Sequence, residues 1–120
     1  MSTEFSSVNI IAWLEEQSDK VYNSLPFGVV KMSTEGIIVA YNKAESDIAG
    51  VAPENAIGKH FFTVVAPCTN NFMVAEKYNS PDVDEELDYK FTYVTQPTKV
   101  RLRLLKSAGH SHQYLLVKKR

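Results

Sequence analysis

Apolar residues recur along this chain with changing rhythm. Over residues 8–25, Val8, Ile11, Trp13, Leu14, Val21, Tyr22 and Leu25 fall at mixed helical spacing around the polar stretch 15–20, which predicts two short helices forming an N-terminal cap. Pro26 ends that segment. Residues 27–33 and 36–41 are β-rich runs on either side of the turn-forming quartet Ser33-Thr34-Glu35-Gly36, and together they predict a hairpin. Asn42 followed by Glu45 has the spacing of a capping box, and Gly50 sits where a left-handed residue stops a helix, so a short helix is expected over 43–49. Pro53 opens another that ends by Gly58. Residues 60–65 form an apolar turn running into Ala66-Pro67-Cys68, and 71–79 have room for a further helix before the breakers Asn79-Ser80-Pro81-Asp82. The acidic run 82–86 reads as a solvated loop or the entry to a strand.

From residue 87 the pattern becomes alternation. Residues 87–95, 98–106 and 112–119 predict a three-strand meander, broken at Gln96-Pro97 and at Ser107-Ala108-Gly109-His110. Val100, Leu102 and Leu104 are expected to face the core, and Lys99, Arg101 and Arg103 the solvent. The whole order predicts an α+β domain: a five-stranded antiparallel sheet flanked by short helices, with residues 1–25 as the cap and 26–120 as the core.

Composition narrows the function classes. The 120 residues, 44% apolar and 22% charged, suffice for one core that encloses a small ligand. A net charge of −1 and a pI near 6.3 give no electrostatic reason to expect nucleic acid or an anionic membrane as partner. No apolar stretch has the length of a membrane span, and the opening MSTEFSS lacks the basic and apolar regions of a signal peptide, so a reducing cytoplasm is the expected location.

The chain has one cysteine, Cys68, within VVAPCTNN. Composition alone reads it as a small buried hydrophobe. Cys-His catalysis would need a base, and His60, His110 and His112 come with no oxyanion-hole motif. His110 and His112 have strand-like spacing, but two imidazoles without a third ligand make a poor metal site, and a solvated turn is the plainer reading. The stripe Lys99, Arg101, Arg103 and Lys106 lacks the aromatic interleaving of a nucleic-acid track. Tyr41 and Glu45, four residues apart, are a strand-end tyrosine and a capping glutamate that can share one side of the hairpin.

The strings YNKAESDIAG (41–50), IGKHFFTVVAPCTN (57–70) and PTKVRLRLLKS (97–107) closely resemble the photoactive yellow proteins, blue-light receptors with a PAS fold. The similarity runs from about residue 25 to 119 and is looser in the cap. It implies that Cys68 carries p-coumaric acid (4-hydroxycinnamic acid) as a thioester and that Tyr41 and Glu45 hydrogen-bond its phenolic oxygen. Phe61, Val65, Ala66, Pro67, Thr69, Phe91 and Tyr93 are then expected to wall the chromophore, with Val29 and Val30 beneath it. The resemblance further implies trans–cis photoisomerisation, proton transfer from Glu45, and partial unfolding of a weakly attached cap as the signal to an unidentified downstream signalling protein. On this reading the chain is a binding protein rather than an enzyme, a monomer or weak dimer. A light-independent PAS module for ligand binding or dimerisation is the alternative.

Four positions depart from the family's pattern. Ala49 replaces a threonine that supports the tyrosine, and Val51 replaces an arginine that shields the pocket. Tyr114 takes the place of a tryptophan. Thr95 stands where a methionine usually assists return to the trans state, so dark recovery is expected to be slow. Thr95→Met should accelerate the return of absorbance after a flash; equal recovery rates in the two proteins would refute the assignment.

Overall fold

The computed structural model describes residues 4–92 and 97–120. Five strands, β1 (Gly28–Ser33), β2 (Ile38–Tyr41), β3 (Val83–Phe91), β4 (Thr98–Lys106) and β5 (His112–Lys119), form one antiparallel sheet in the order β2-β1-β5-β4-β3. The last strand therefore lies in the middle, joining the first hairpin to the β3–β4 pair. The acidic run 82–86 mostly belongs to β3, which starts at Val83. Its carboxylates find cations: Asp84 pairs with Arg103, Glu85 with Lys77, and Glu86 and Asp88 with Arg101. A run that looks solvated in one dimension is matched across the sheet by a basic neighbour.

Between β2 and β3 the chain makes brief pieces. These are α3 (Lys43–Ala49), α4 (Pro53–Ala56), a π-helical turn (Phe61–Val65) and two 3-10 turns (Pro67–Thr69 and Ala75–Asn79). Gly50, at φ 72°, closes α3 in the left-handed conformation that lacks a steric cost only for glycine. The helix expected over 71–79 reduces to the second 3-10 turn. Asn71 instead folds its loop by accepting the backbone N–H groups of Met73 and Val74 on Oδ1.

Both faces of the sheet are buried. On one face, Val30, Met32, Phe91, Val100, Leu102, Leu104, Leu115 and Val117 pack with Tyr41, Phe61, Phe62 and Ala66. On the other, the cap helices α1 (Ile10–Glu16) and α2 (Asp19–Ser24) bring Ile10, Leu14 and Tyr22 against Val29, Leu105, Tyr114 and Leu116. The continuous burial of β5 from Gln113 to Val117 follows from these two covers.

This second cover corrects the expected solvent face of β4. Arg103 is only 5% exposed. Its guanidinium donates to Asp84 and to the backbone carbonyls of Phe5 and Ser7, so a residue of the expected wet stripe instead ties down the start of the cap. Lys106 likewise turns inward, donating to the Tyr78 carbonyl. Lys118 lies 4.9 Å from the Phe5 ring centroid. The cap is thus attached by polar clasps as well as by apolar area. Arg103→Leu should destabilise the protein by about 2–3 kcal/mol in urea unfolding, because two carbonyls lose their donor. Asp84→Ala should cost under about 1 kcal/mol, since that carboxylate is 58% exposed. Equal losses in the two variants would contradict the clasp.

Candidate functional site: a buried acid, a tyrosine and a lone thiol

Tyr41 reaches its position through an irregularity in the first hairpin. Lys31 pairs with Ala40, but Met32 pairs with Ile38, so Val39 is an extra residue and stands 42% exposed. Strict alternation from Ile38 would send Ala40 to the same face and Tyr41 to the cap. The extra residue reverses the phase: Ala40 packs under the cap, and Tyr41 joins the opposite cluster with Phe61, Ala66 and Phe91.

Asn42 then caps α3, its Oδ1 accepting the Glu45 N–H at 3.1 Å. The reciprocal half of the capping box is absent, since the Asn42 N–H donates to the Val29 carbonyl. Glu45 has a different position from that of a capping glutamate. It has no exposed surface, and its carboxyl lies over Gly28 on the inner face of β1. A Cβ at Gly28 would sit 2.5 Å from Glu45 Oε1, so the glycine makes room for a buried carboxyl.

Cys68 lies in the first 3-10 turn, half-buried against the cluster that holds Tyr41. Pro67 opens that turn, and Thr69 closes it by donating from Oγ1 to the Ala66 carbonyl at 2.7 Å. The Cys68 carbonyl is gripped twice, by the Tyr89 hydroxyl and by Asn71 Nδ2 at 3.1 Å, and Asn71 also donates to the Tyr89 oxygen at 2.8 Å. The backbone at the thiol is therefore held from β3 and from its own loop.

Of the residues expected around a chromophore, Val30, Phe61, Ala66 and Phe91 are buried in this cluster, and Val51 and Val65 pack against it partly buried. Thr69 and Ala49 are buried, while Pro67 is exposed. Val29 is a correction. As Val30's neighbour on a strand it points through the opposite face, into the cap core. Tyr93 and Thr95 lie outside the described residues. Asn71, Tyr89 and Gly28 were not singled out from the sequence. Tyr89 falls in phase with Leu87 and Phe91, which marks it as inward-facing, but nothing in the chain order shows that its hydroxyl meets Cys68.

Elsewhere, no group of three or more potential metal ligands occurs among the described residues, and His112 faces Glu15 at 3.1 Å. No described helix is long and apolar enough to cross a membrane.

The site thus combines a buried carboxyl, a buried tyrosine and a half-buried thiol on a braced turn, with apolar side chains of one cluster packed around the tyrosine and the thiol. Gly28→Ala should cost about 1–3 kcal/mol, measured by urea unfolding, because the new methyl overpacks the Glu45 carboxyl. Gly109→Ala, whose Cβ meets nothing closer than Ser107 Oγ at 3.9 Å, should change stability by under about 0.5 kcal/mol. A neutral Gly28→Ala would show that the carboxyl is not held there.

The profile of the PAS fold family matches residues 22–83. The chain is 33% identical to the photoactive yellow protein of Halochromatium salexigens over 96% of its length and 95% of the relative's. It is 36% identical to that of Rhodobacter capsulatus over 80% and 81%. The photoactive yellow protein domain of the sensor histidine kinase Ppr from Rhodospirillum centenum superposes with a TM-score of 0.82 at 28% identity, covering 90% of this chain and 98% of that domain. With a five-stranded PAS sheet and relatives that align over most of its length, the chain belongs to the photoactive yellow protein family, a photoreceptor-like branch of the PAS fold.

Proposed function

We propose that this protein is a blue-light photoreceptor that carries p-coumaric acid as a thioester on Cys68, with Tyr41 and Glu45 hydrogen-bonding its phenolic oxygen. The observation that carries the reading is that Tyr41 and Cys68 pack in one apolar cluster with Phe61, Ala66 and Phe91, while the Glu45 carboxyl is buried over Gly28 at the start of β1, the strand that pairs with Tyr41. Bound there, the chromophore would supply blue-light absorption and a double bond that isomerises from trans to cis.

The chain's own residues supply the rest. Cys68 Sγ is the acyl acceptor, and Asn71 and Tyr89 hold its backbone while the thiol reacts. Tyr41 acts as a hydroxyl donor. Glu45 donates only while its carboxyl keeps its proton, and a carboxyl without exposed surface does so at lower cost than it carries a charge. When that proton leaves, a carboxylate remains in an apolar interior at a cost of several kcal/mol, a large part of the roughly 5–15 kcal/mol that stabilises a domain.

The cap gives way to that stress. Its hold on the sheet rests on a few buried apolar side chains, Phe5, Ile10, Leu14 and Tyr22, and works against the conformational entropy that its residues regain on release. The released sheet face then signals to a downstream signalling protein.

Mixing the protein with an activated ester of p-coumaric acid should transfer the acyl group to Cys68 Sγ as the activating group leaves. A mass increase and visible absorption should appear, both lost in Cys68→Ala. Glu45→Gln should shift the absorption to the red, and light should raise hydrogen exchange in the cap. No adduct on Cys68 would overturn the reading in favour of a light-independent PAS module.

A further inference from the structure

Gln113, in β5, stands where the strand's alternation calls for an apolar residue. It is in phase with Leu115 and Val117, pairs with Met32 of β1, and is 1% exposed. Its Oε1 meets no hydrogen-bond donor among the described residues. A close-packed core gains nothing from an amide oxygen held in this way, since its desolvation is not offset by a bond.

The residue is the buried end of a cleft of about 140 Å³. Four segments meet there: the β1–β2 turn at Gly36, the π-helical turn with His60 before it, the 3-10 turn Ala75–Asn79, and the start of β5. Phe62 and Tyr78, with ring centroids 5.5 Å apart, supply apolar wall. The Tyr78 hydroxyl is already engaged, donating to the Tyr114 carbonyl at 2.7 Å, so what this residue offers the cleft is its ring. His60 packs over Gly36, where a Cβ would come within 2.7 Å of the imidazole Nε2. Its Nδ1 accepts the Thr63 N–H at 3.2 Å, so the neutral imidazole carries its hydrogen on Nε2. No lysine or arginine lines the cleft among the described residues, and its one carboxylate, Glu35, is exposed.

We infer that this cleft is a binding site for a small, uncharged, planar cyclic amide whose ring N–H donates to Gln113 Oε1. The chemistry of the lining selects that class. An N–H supplies the bond that Oε1 does not find in the protein, and the carbonyl beside it is the acceptor that the His60 Nε2–H calls for. A flat ring suits the faces of Phe62 and Tyr78. An anion would meet no cation here, and an ammonium would exchange its hydration for one amide oxygen and a solvent-screened carboxylate. The volume, well below the roughly 300–1,000 Å³ of sites for drug-sized ligands, limits the occupant to a single ring.

The inference does not rest on the photoreceptor reading, because none of Tyr41, Glu45 and Cys68 lines the cleft. The two places are nonetheless adjacent. Phe62 meets Phe61 edge-on at 5.1 Å between centroids, and both rings belong to the cluster that holds Tyr41 and Cys68.

The test titrates the full chain, without chromophore, with 2-pyridone and follows it by NMR. The Gln113 side-chain amide and the backbone amides of Gly36 and Ala75 should shift and saturate, with a dissociation constant of about 0.1–10 mM. N-methyl-2-pyridone, which lacks the N–H, and benzoate, which carries a charge, should each bind at least about fivefold more weakly. Gln113→Met keeps the length of the side chain and removes its acceptor; it should weaken 2-pyridone by a similar factor while the urea midpoint holds or rises. Shifts that do not saturate, equal binding of the N-methyl compound, or undiminished binding to Gln113→Met overturns the site. A lower urea midpoint in Gln113→Met also overturns it, by assigning the oxygen to holding the fold. Saturable 2-pyridone binding by a protein that forms no adduct on Cys68 would support the cleft while refuting the photoreceptor reading, and the converse result would do the reverse.

Discussion

The structure depends on the side chain of Asn42, 2% exposed, at the junction of cap, sheet and site. Its Oδ1 accepts from the N–H groups of Val29 and Glu45, and its Nδ2 donates to the carbonyls of Tyr22 and Phe27. Four bonds from one amide satisfy backbone groups of α2, the start of β1 and the first turn of α3. An uncapped helix end buried here would leave polar groups unpaired at about 1–3 kcal/mol each. The same bonds set the direction of the chain on either side, placing Tyr41 just before the junction and Glu45 one turn after it. The cap and the buried acid therefore share a support: a disturbance at Glu45 is one helical turn from the residue that holds the Tyr22 carbonyl.

A sheet covered on both faces gives the Cys68 site and the cap a common wall. Neighbouring strand residues belong to different cores, Val30 to the cluster beside Cys68 and Val29 to the cap, Leu115 to the first and Tyr114 to the second. Side chains packed at crystal-like density do not absorb displacement gradually, so a charge stranded on one face is felt on the other through a single layer of backbone. The cap face carries the polar clasps, Arg103 with Phe5 and Ser7 near one end and Glu15 with Tyr114 and His112 farther along α1. Such clasps fix where the cap sits; its apolar area alone would tolerate sliding.

The strands and α3 were legible because their signals are local. Alternation over residues 98–106, the turn at Ser33-Gly36, and the Asn42 and Gly50 helix boundaries act within a few residues of themselves. Cys68, Tyr41 and Glu45 stand out in the sequence only through the surrounding words, since by chemistry a lone thiol, a strand-end tyrosine and a glutamate at capping spacing each have an ordinary explanation. Arg103 was misplaced because alternation states only that one face differs from the other. Whether the second face meets water depends on a cap almost a hundred residues away in sequence.

By itself the sequence determined the order of the strands and the helix α3 that bears Glu45. Tertiary structure alone decided that Val39 is an extra residue which turns Tyr41 inward, that Glu45 is buried over Gly28 instead of capping its helix, that Asn71 and Tyr89 brace Cys68, and that Glu15 meets Tyr114 and His112. The division has a physical cause. Propensity and periodicity are properties of neighbouring residues, whereas register, burial and the meeting of charges across a sheet are set by contacts between segments that the chain order does not place side by side.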